Sequence, residues 1–295
     1  MVVPAKTNPL NVTTETLPKV SLVTSVFKAD DYIEQLMEDI TRQTIFEEKC
    51  EWIILNADPP SERFDEQVIL EQVEKYPNNI IYKRLDEDPG IYDAWNIGIK
   101  LATGEYITNV NCDDRRAPWG IEKQARFLGE NPKIDLVYND SYVTHDPNIM
   151  WEDLPPKCQH YDFRHFSKRV MLWQNLPHNN PMWRKNLHGR FGYFNQAYTI
   201  AGDWDFWLRC AFGGAMFKKH PEILGIYYPN PVGMSSNPEH ESDLFQQQRE
   251  IFSNYKQKYF ESMRAESWDL ILRMLLQTFW SPVRLLVNLI YQGKA

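Results

Sequence analysis

The chain has 295 residues, 43% of them hydrophobic and 24% charged, an ordinary globular composition with enough length for one large core and a small appendage. A formal net charge of −8 and a pI near 5.5 argue against nucleic acid as a partner, because neutralising phosphates needs a basic face. Cys50, Cys112, Cys158 and Cys210 form no C-x-x-C pair, and no histidines pair at metal spacing, so neither a zinc site nor a disulfide framework is indicated and reduced cytosolic thiols are expected.

Residues 1–17, MVVPAKTNPLNVTTETL, are polar, interrupted by Pro4 and Pro9 and aperiodic, which predicts a flexible leader. They lack a charged n-region followed by an apolar h-region, so no secretory signal is read, a cytoplasmic location is expected, and the sequons at Asn11 and Asn139 are chance matches. Structure is expected from about Pro18. KVSLVTSVF (19–27) predicts a strand; beyond it Asp31 and Glu34 resemble a capping box, and Ile33, Leu36, Met37 and Ile40 recur at helical spacing. EWIIL (51–55) predicts a second strand, followed by the polar NADPPSE and a helix over 63–76 in which Phe64, Val68 and Val73 repeat about once per turn. NIIYK (79–83), IYDAWNIGIKLA (91–102) and EYITNV (105–110) predict the third strand, third helix and fourth strand.

This alternation predicts an α/β fold, a doubly wound and mostly parallel sheet flanked by helices. In such sheets ligands bind beyond the carboxyl ends of the strands. NADPPSE, DEDPG (86–90) and NCDD (111–114) place three polar clusters on that rim. Asp113 and Asp114 are the most demanding of these residues. Two adjacent carboxylates repel and are costly to bury without a cation, and hard oxygen donors suit Mg2+ or Mn2+. The alternative is that they simply open a turn before Pro118.

Four segments carry a family resemblance. PKVSLVTSVFKADDYIEQLMEDITRQT (18–44) resembles the opening strand and helix of family-2 glycosyltransferases of the GT-A fold, and EDPGIYDAWNIGIKLATGEYITNVNCDD (87–114) resembles the stretch leading into their DXD-type motif. PMWRKNLHGRFGYFN (181–195) is similar to the segment before the acceptor site, and AGDWDFWLR (201–209) to the motif carrying the catalytic base. Order and spacing agree, over about residues 18–235.

The resemblance implies an inverting transfer of a sugar from a nucleotide-diphosphate donor, a UDP-sugar in the first instance, to a hydroxyl of a glycan or lipid-linked acceptor. It assigns donor contacts to Ser25, Phe27, Asn56, Asp93 and Asp113, the metal (Mn2+ or Mg2+) to Asp114 with Asn111 secondary, and the general base to Asp203. Asp205 is the reserve base, and helix capping is the structural alternative for Asp203. Two positions depart from the family pattern: Asn56 and Ala57 stand where aspartate is usual, and Gly202 stands where an acidic residue usually precedes the base. Trp95, Trp204 and Trp207 read as core. LGIYYPNPVGMSSNPEHESD (224–243) reads as a loop, and at this point the family has a mobile segment that closes over the diphosphate, making Ser235, Ser236 and His240 candidates for phosphate contact. His145, His160 and His165 lack metal spacing; His178 alone lies near the acceptor segment.

Residues 267–295 are mostly apolar but broken by Arg273, Pro282 and Arg284, too interrupted to span a bilayer. Two amphipathic helices are expected there, and residues 266–295 would serve peripheral membrane contact or packing on protein, dimerisation included. The expected organisation is a leader over 1–17, a GT-A domain over 18–235, and a loop with a helical extension over 236–295. Two other functions compete: a nucleotidyltransferase, which would want a glycine-rich basic loop where TSVFKADD stands, and a non-catalytic nucleotide-sugar-binding or assembly protein.

Overall fold

The computed structural model describes residues 14, 16–58 and 64–262. The leader before Thr14 and the C-terminal segment 266–295 lie outside these residues. The chain divides into two compact units, Met1–Tyr255 and Lys256–Ala295.

The strands are β1 (Val20–Val26), β2 (Cys50–Asn56), β3 (Ile80–Arg84), β4 (Tyr106–Asn109), β5 (Arg115–Arg116), β6 (Leu136–Tyr138), β7 (Ser141–Val143), β8 (Met182–Arg184), β9 (Phe217–Lys219) and β10 (Gly225–Tyr227). The helices are α1 (Ile33–Thr41), α2 (Phe46–Lys49), α3 (Phe64–Lys75), α4 (Ile91–Leu101), α5 (Gly120–Glu130), α6 (Lys168–Met171), α7 (Asn186–Phe191), α8 (Gly202–Phe212) and α9 (Glu241–Ser262). A seven-stranded sheet runs β3-β2-β1-β4-β8-β6-β9, and a three-stranded sheet runs β5-β10-β7. The first four strands of the large sheet are parallel; β8 is antiparallel to both β4 and β6. This is the mixed, mostly parallel sheet expected of the α/β reading.

β1 and β2 are central, and their side chains are buried on both faces, so they read in sequence as nearly unbroken apolar runs. Val20, Leu22 and Val26 of β1 share one core cluster with Ile33, Leu36, Met37 and Ile40 of α1, Ile69 of α3, and Ile121, Ala125 and Leu128 of α5. On the other side α4 comes close enough to β1 that a Cβ on Gly98 would stand 2.4 Å from Val23 Cγ1. Glycine at that position lets the helix lie against the strand.

The register fixes where the chain leaves the sheet. Val26 pairs with Asn56, and Val23 with Asn109, so the ends of β1, β2 and β4 share one edge, the rim that the parallel pattern predicts. α4 follows β3 and returns across β1 and β2, bringing its first turn to the same rim.

Several boundaries differ from the sequence expectations. Packing starts before Pro18, because Leu17 is buried in the core cluster and Thr14 Oγ1 accepts from Arg126 Nη2 at 2.7 Å. The capping box at α1 is absent: the residue preceding the helix is Tyr32, with no side-chain cap. The segment 224–243 is not all loop, since β10 lies within it and joins β5 to β7. Among the described residues no helix is long and apolar enough to cross a membrane.

Candidate active site

The acidic doublet sits where the two sheets meet, between the end of β4 and the two residues of β5. Asp114 is 5% exposed; its Oδ2 accepts from Asn111 Nδ2 at 2.8 Å and its Oδ1 from the Tyr228 amide at 3.4 Å. Asp113 is more open, and its Oδ2 accepts from Asn230 Nδ2 at 3.0 Å. Burial first, and the charge of Asp113 second, push Asp114 up to about 8, against the amides of Asn111, Tyr228 and Asn179. Among the described residues neither carboxylate has a cationic side chain within 4.0 Å.

The next two residues compensate this charge from behind. Arg115 and Arg116 are both almost fully buried. Arg115 Nη1 donates to the carbonyls of Cys112 and Asp114 at 2.8 Å each, and Arg116 Nη2 donates to Thr108 Oγ1 at 2.8 Å and Asn109 O at 2.6 Å. Both arginines are also partnered by Asp39 of α1, whose carboxylate accepts from the Arg116 amide. The arginines therefore anchor the turn without ion-pairing the doublet, which leaves the carboxylates available for a ligand cation.

A divalent ion fits this arrangement. The donors are hard oxygens, and Asp114 is a buried carboxylate with no ion-pair contact among the described residues. Among the described residues no group of three His, Cys, Asp or Glu side chains gathers to hold an ion. At most the two carboxylates would ligate, leaving the remaining positions to phosphate and water, as magnesium-type ions favour.

The donor-side residues follow the register. Ser25, near the end of β1, accepts from Cys112 Sγ at 3.5 Å through its carbonyl, tying the strand end to the doublet turn. Phe27 is 42% exposed, with Lys28 Nζ 5.2 Å from its ring centroid. Lys28 has φ +53, a conformation costly for a non-glycine residue and concentrated at functional sites. Its amide donates to Asp58 Oδ1. Asn56 is fully buried: its Oδ1 accepts from the Asp58 amide at 2.8 Å, while its Nδ2 is buried without a partner among the described residues. The carboxylate missing at positions 56 and 57 thus returns two residues later as Asp58, which sequence reading passed over. Asp58 is accompanied by buried Asp65 on α3, whose Oδ2 accepts from the Ala29 amide at 3.1 Å.

Asp93, on the first turn of α4, accepts from Gln196 Nε2 and so faces the segment before α8. Its neighbour Tyr92 reaches Asp203: the phenol lies 2.6 Å from Ile200 O and 3.2 Å from Asp203 Oδ1. The other Asp203 oxygen accepts from Asn175 Nδ2 at 2.6 Å. Burial raises the pKa of Asp203 above the ordinary carboxylate value, against the hydrogen bonds from Asn175, Tyr92 and the amides of the first helical turn. Asp203 is the second residue of α8 and not its cap. Ala201, at the cap position, makes no side-chain cap bond; Gln247 of α9 instead fixes the segment before the helix, its Oε1 accepting from the Ile200 and Ala201 amides at 3.0 and 3.1 Å. The reserve base Asp205 is engaged by Arg209 Nη2 at 2.9 Å and Tyr255 OH at 3.1 Å.

Trp95, Trp204 and Trp207 are buried; Trp204 Nε1 donates to Met171 O at 2.7 Å. His178, at φ +46, is enclosed by Tyr161, Phe163 and Tyr227, and its Nδ1 meets Asn179 Oδ1 at 3.1 Å. Ser236 Oγ lies 3.3 Å from Tyr227 OH. From the 228–240 loop it is Tyr228 and Asn230, not the serines or His240, that touch the doublet.

The sequence model described as Glycosyl transferase family 2 matches residues 21–191, more than half of the chain. The chain belongs to that family. As a family-2 glycosyltransferase it is similar to a PGL/p-HBAD biosynthesis glycosyltransferase of Mycobacterium tuberculosis, 26% identical over 74% of this chain and 80% of the relative. A 118-residue stretch is 32% identical to the minor teichoic acid biosynthesis protein GgaB of Bacillus subtilis, covering 40% of this chain and 13% of GgaB. Two solved structures share the fold. One is S. aureus TarS 1-349 in complex with UDP-GlcNAc, with TM-score 0.59, 15% identity, and 82% of this chain and 73% of that one covered. The other is the mannosyltransferase PcManGT from Pyrobaculum calidifontis in complex with GDP-Man and Mn2+, with TM-score 0.58, 14% identity, and coverages of 95% and 87%. The GT-A fold and glycosyltransferase class expected from the sequence are borne out.

Proposed function

We propose that this family-2 enzyme transfers a sugar with inversion from a UDP-linked donor to a hydroxyl of a glycan or lipid-linked acceptor, assisted by Mn2+ or Mg2+. The observation that carries the reading is the buried Asp114 carboxylate beyond the end of β4, taken together with the Asp203 carboxylate that is hydrogen-bonded to Tyr92 on the first turn of α4. One site suits a metal diphosphate and the other a proton. The donor complexes of TarS and PcManGT agree with a nucleotide-sugar substrate.

In this mechanism Phe27, exposed at the end of β1, gives the base a ring face. The Asn56 and Asp58 side chains meet the base or ribose edge, and Asp113 and Asp93 meet ribose or donor-sugar hydroxyls. Asp114 would hold the divalent ion, which when bound offsets the charge of the leaving diphosphate. Asp203 takes the proton from the acceptor hydroxyl as that oxygen bonds to the anomeric carbon. The anomeric carbon–oxygen bond to phosphate breaks in the same displacement, and the nucleoside diphosphate leaves with the electron pair. A positioned carboxylate base of this kind contributes about 10²- to 10⁴-fold. Its burial-raised proton affinity suits the role better than that of an exposed aspartate.

A thermal-shift panel of UDP, GDP and their sugar conjugates, each with and without Mn2+ or Mg2+, tests the proposal. Stabilisation by UDP that requires the divalent ion is expected. The absence of any shift with every nucleotide diphosphate, with or without metal, would overturn it.

A further inference from the structure

Asp203 has no ion-pair partner among the described residues, so what holds its charge and orientation must be neutral. Tyr92 is the main candidate. Its side chain is largely buried and packs against Trp95, with ring centroids 5.5 Å apart and nearly perpendicular, and against Phe194, at 5.8 Å and stacked. The far side of the ring abuts the start of α8. A Cβ on Gly202 would stand 2.9 Å from Tyr92 Cδ2 and Cε2 and 3.2 Å from Cγ. No side chain fits at 202 while Tyr92 is in place, which gives a physical reason for glycine immediately before the base.

The hydroxyl of Tyr92 has one proton and two acceptors, Ile200 O at 2.6 Å and Asp203 Oδ1 at 3.2 Å. Asn175 Nδ2 donates to the opposite carboxylate oxygen, and Asn175 Oδ1 is buried without a partner among the described residues. The charged groups of neighbouring elements point elsewhere. Asp205 and Arg209 pair with each other on α8, Lys168 of α6 lies over the Phe212 ring at the far end of that helix, and His188 of α7 stacks on Phe206. From α9, the neutral Gln247 binds the Ile200 and Ala201 amides just before the helix.

We propose that Tyr92 is a positioning residue for Asp203, its hydroxyl turning between the Ile200 carbonyl and Asp203 Oδ1 as the carboxylate loses and gains the acceptor's proton. The inference rests on Asp203 being the base. While Asp203 is ionised, the phenol donates to Oδ1, supplying a dipole where a counter-charge is absent and fixing the carboxylate plane with Asn175 on its other edge. Once Asp203 holds the acceptor's proton, the phenol donates to Ile200 O. Tyr92 keeps its own proton throughout, so the proton balance of transfer is unchanged.

Tyr92→Phe keeps the ring, its aromatic packing and the wall against position 202, and deletes only the hydroxyl. Losing one hydrogen bond to a charged group should lower kcat about tenfold and move the carboxylate limb of the kcat/KM profile upward by about one pH unit. Donor KM and melting temperature should stay near the wild-type values, a combination that a purely structural role would not produce. Should the Phe variant fail to fold, Gly202→Ala supplies a second perturbation, because its Cβ presses on the ring that carries the hydroxyl; the same upward shift is expected. Unchanged kcat and an unchanged pH limb in the folded variant, alongside an inactive Asp203→Asn, would overturn the positioning role and leave the base reading standing. Near-normal turnover in Asp203→Asn would remove both.

Discussion

Asn230 and Asp113 are 117 positions apart, yet the side-chain amide of Asn230 donates to Asp113 Oδ2 at 3.0 Å. With the Tyr228 amide on Asp114, this bond closes the segment after β10 over the acidic doublet. A donor that approaches Asp113 Oδ2 competes with the Asn230 amide. Asn230→Ala removes that competitor, worth about 1 kcal/mol, and is expected to tighten Mn2+-dependent UDP binding about fivefold. Titration calorimetry checks this; weaker binding would mean that Asn230 itself contacts the ligand.

Asp114→Asn keeps the shape of the side chain and removes its charge. Because burial disfavours the ionised form there, the variant is expected to fold at least as stably as the wild type without ligand. The divalent-dependent part of UDP binding should fall by about tenfold or more, the loss of a charge-assisted contact. A calorimetric titration with Mn2+ and UDP that matches the wild type would remove Asp114 as the metal ligand.

The carboxyl group of Asp65 should make stability depend on pH. Burial first, then hydrogen bonding with the carboxyl groups of Asp30 and Asp58, pushes it up to about 8, whereas an aspartate in an unfolded chain titrates near about 3.9. Between those values the folded chain holds a proton that the unfolded chain has released, so the contribution is intact in acid and is lost as pH rises toward 8. Asp65→Asn carries a permanent donor at that place and should flatten the slope. Urea unfolding at pH 5 and pH 8 measures it, with a smaller drop expected for the variant than for the wild type; equal drops would contradict the shared proton.

The first half of the fold was legible because its signals are local. β1 and β2 are buried on both faces and read as apolar runs, while α1 repeats Ile33, Leu36, Met37 and Ile40 on one buried stripe. The second half was harder. β6, β7, β8, β9 and β10 are three residues each, too short for a periodicity to emerge, and β10 hid inside a proline- and glycine-rich stretch that reads as loop.

The site divides in the same way. Asp113, Asp114 and Asp203 could be picked out because short motifs carry them in a fixed order. Tyr92, Asn175 and Asn230 could not, since their roles are bonds made across 111, 28 and 117 positions of sequence. Asp58 was within reach: it stands two residues after Asn56 in the cluster already assigned to the rim, and only the fixed family position drew attention away from it.

UDP release from a UDP-sugar in the presence of Mn2+ and acceptor, compared between the wild type and Asp203→Asn with donor affinity measured on the same samples, bears most directly on the catalytic assignment. Release should fall by about 10²- to 10⁴-fold while the donor binds as before. Release near the wild-type rate, with the donor bound equally well, would contradict the account and move the proton acceptor to another group.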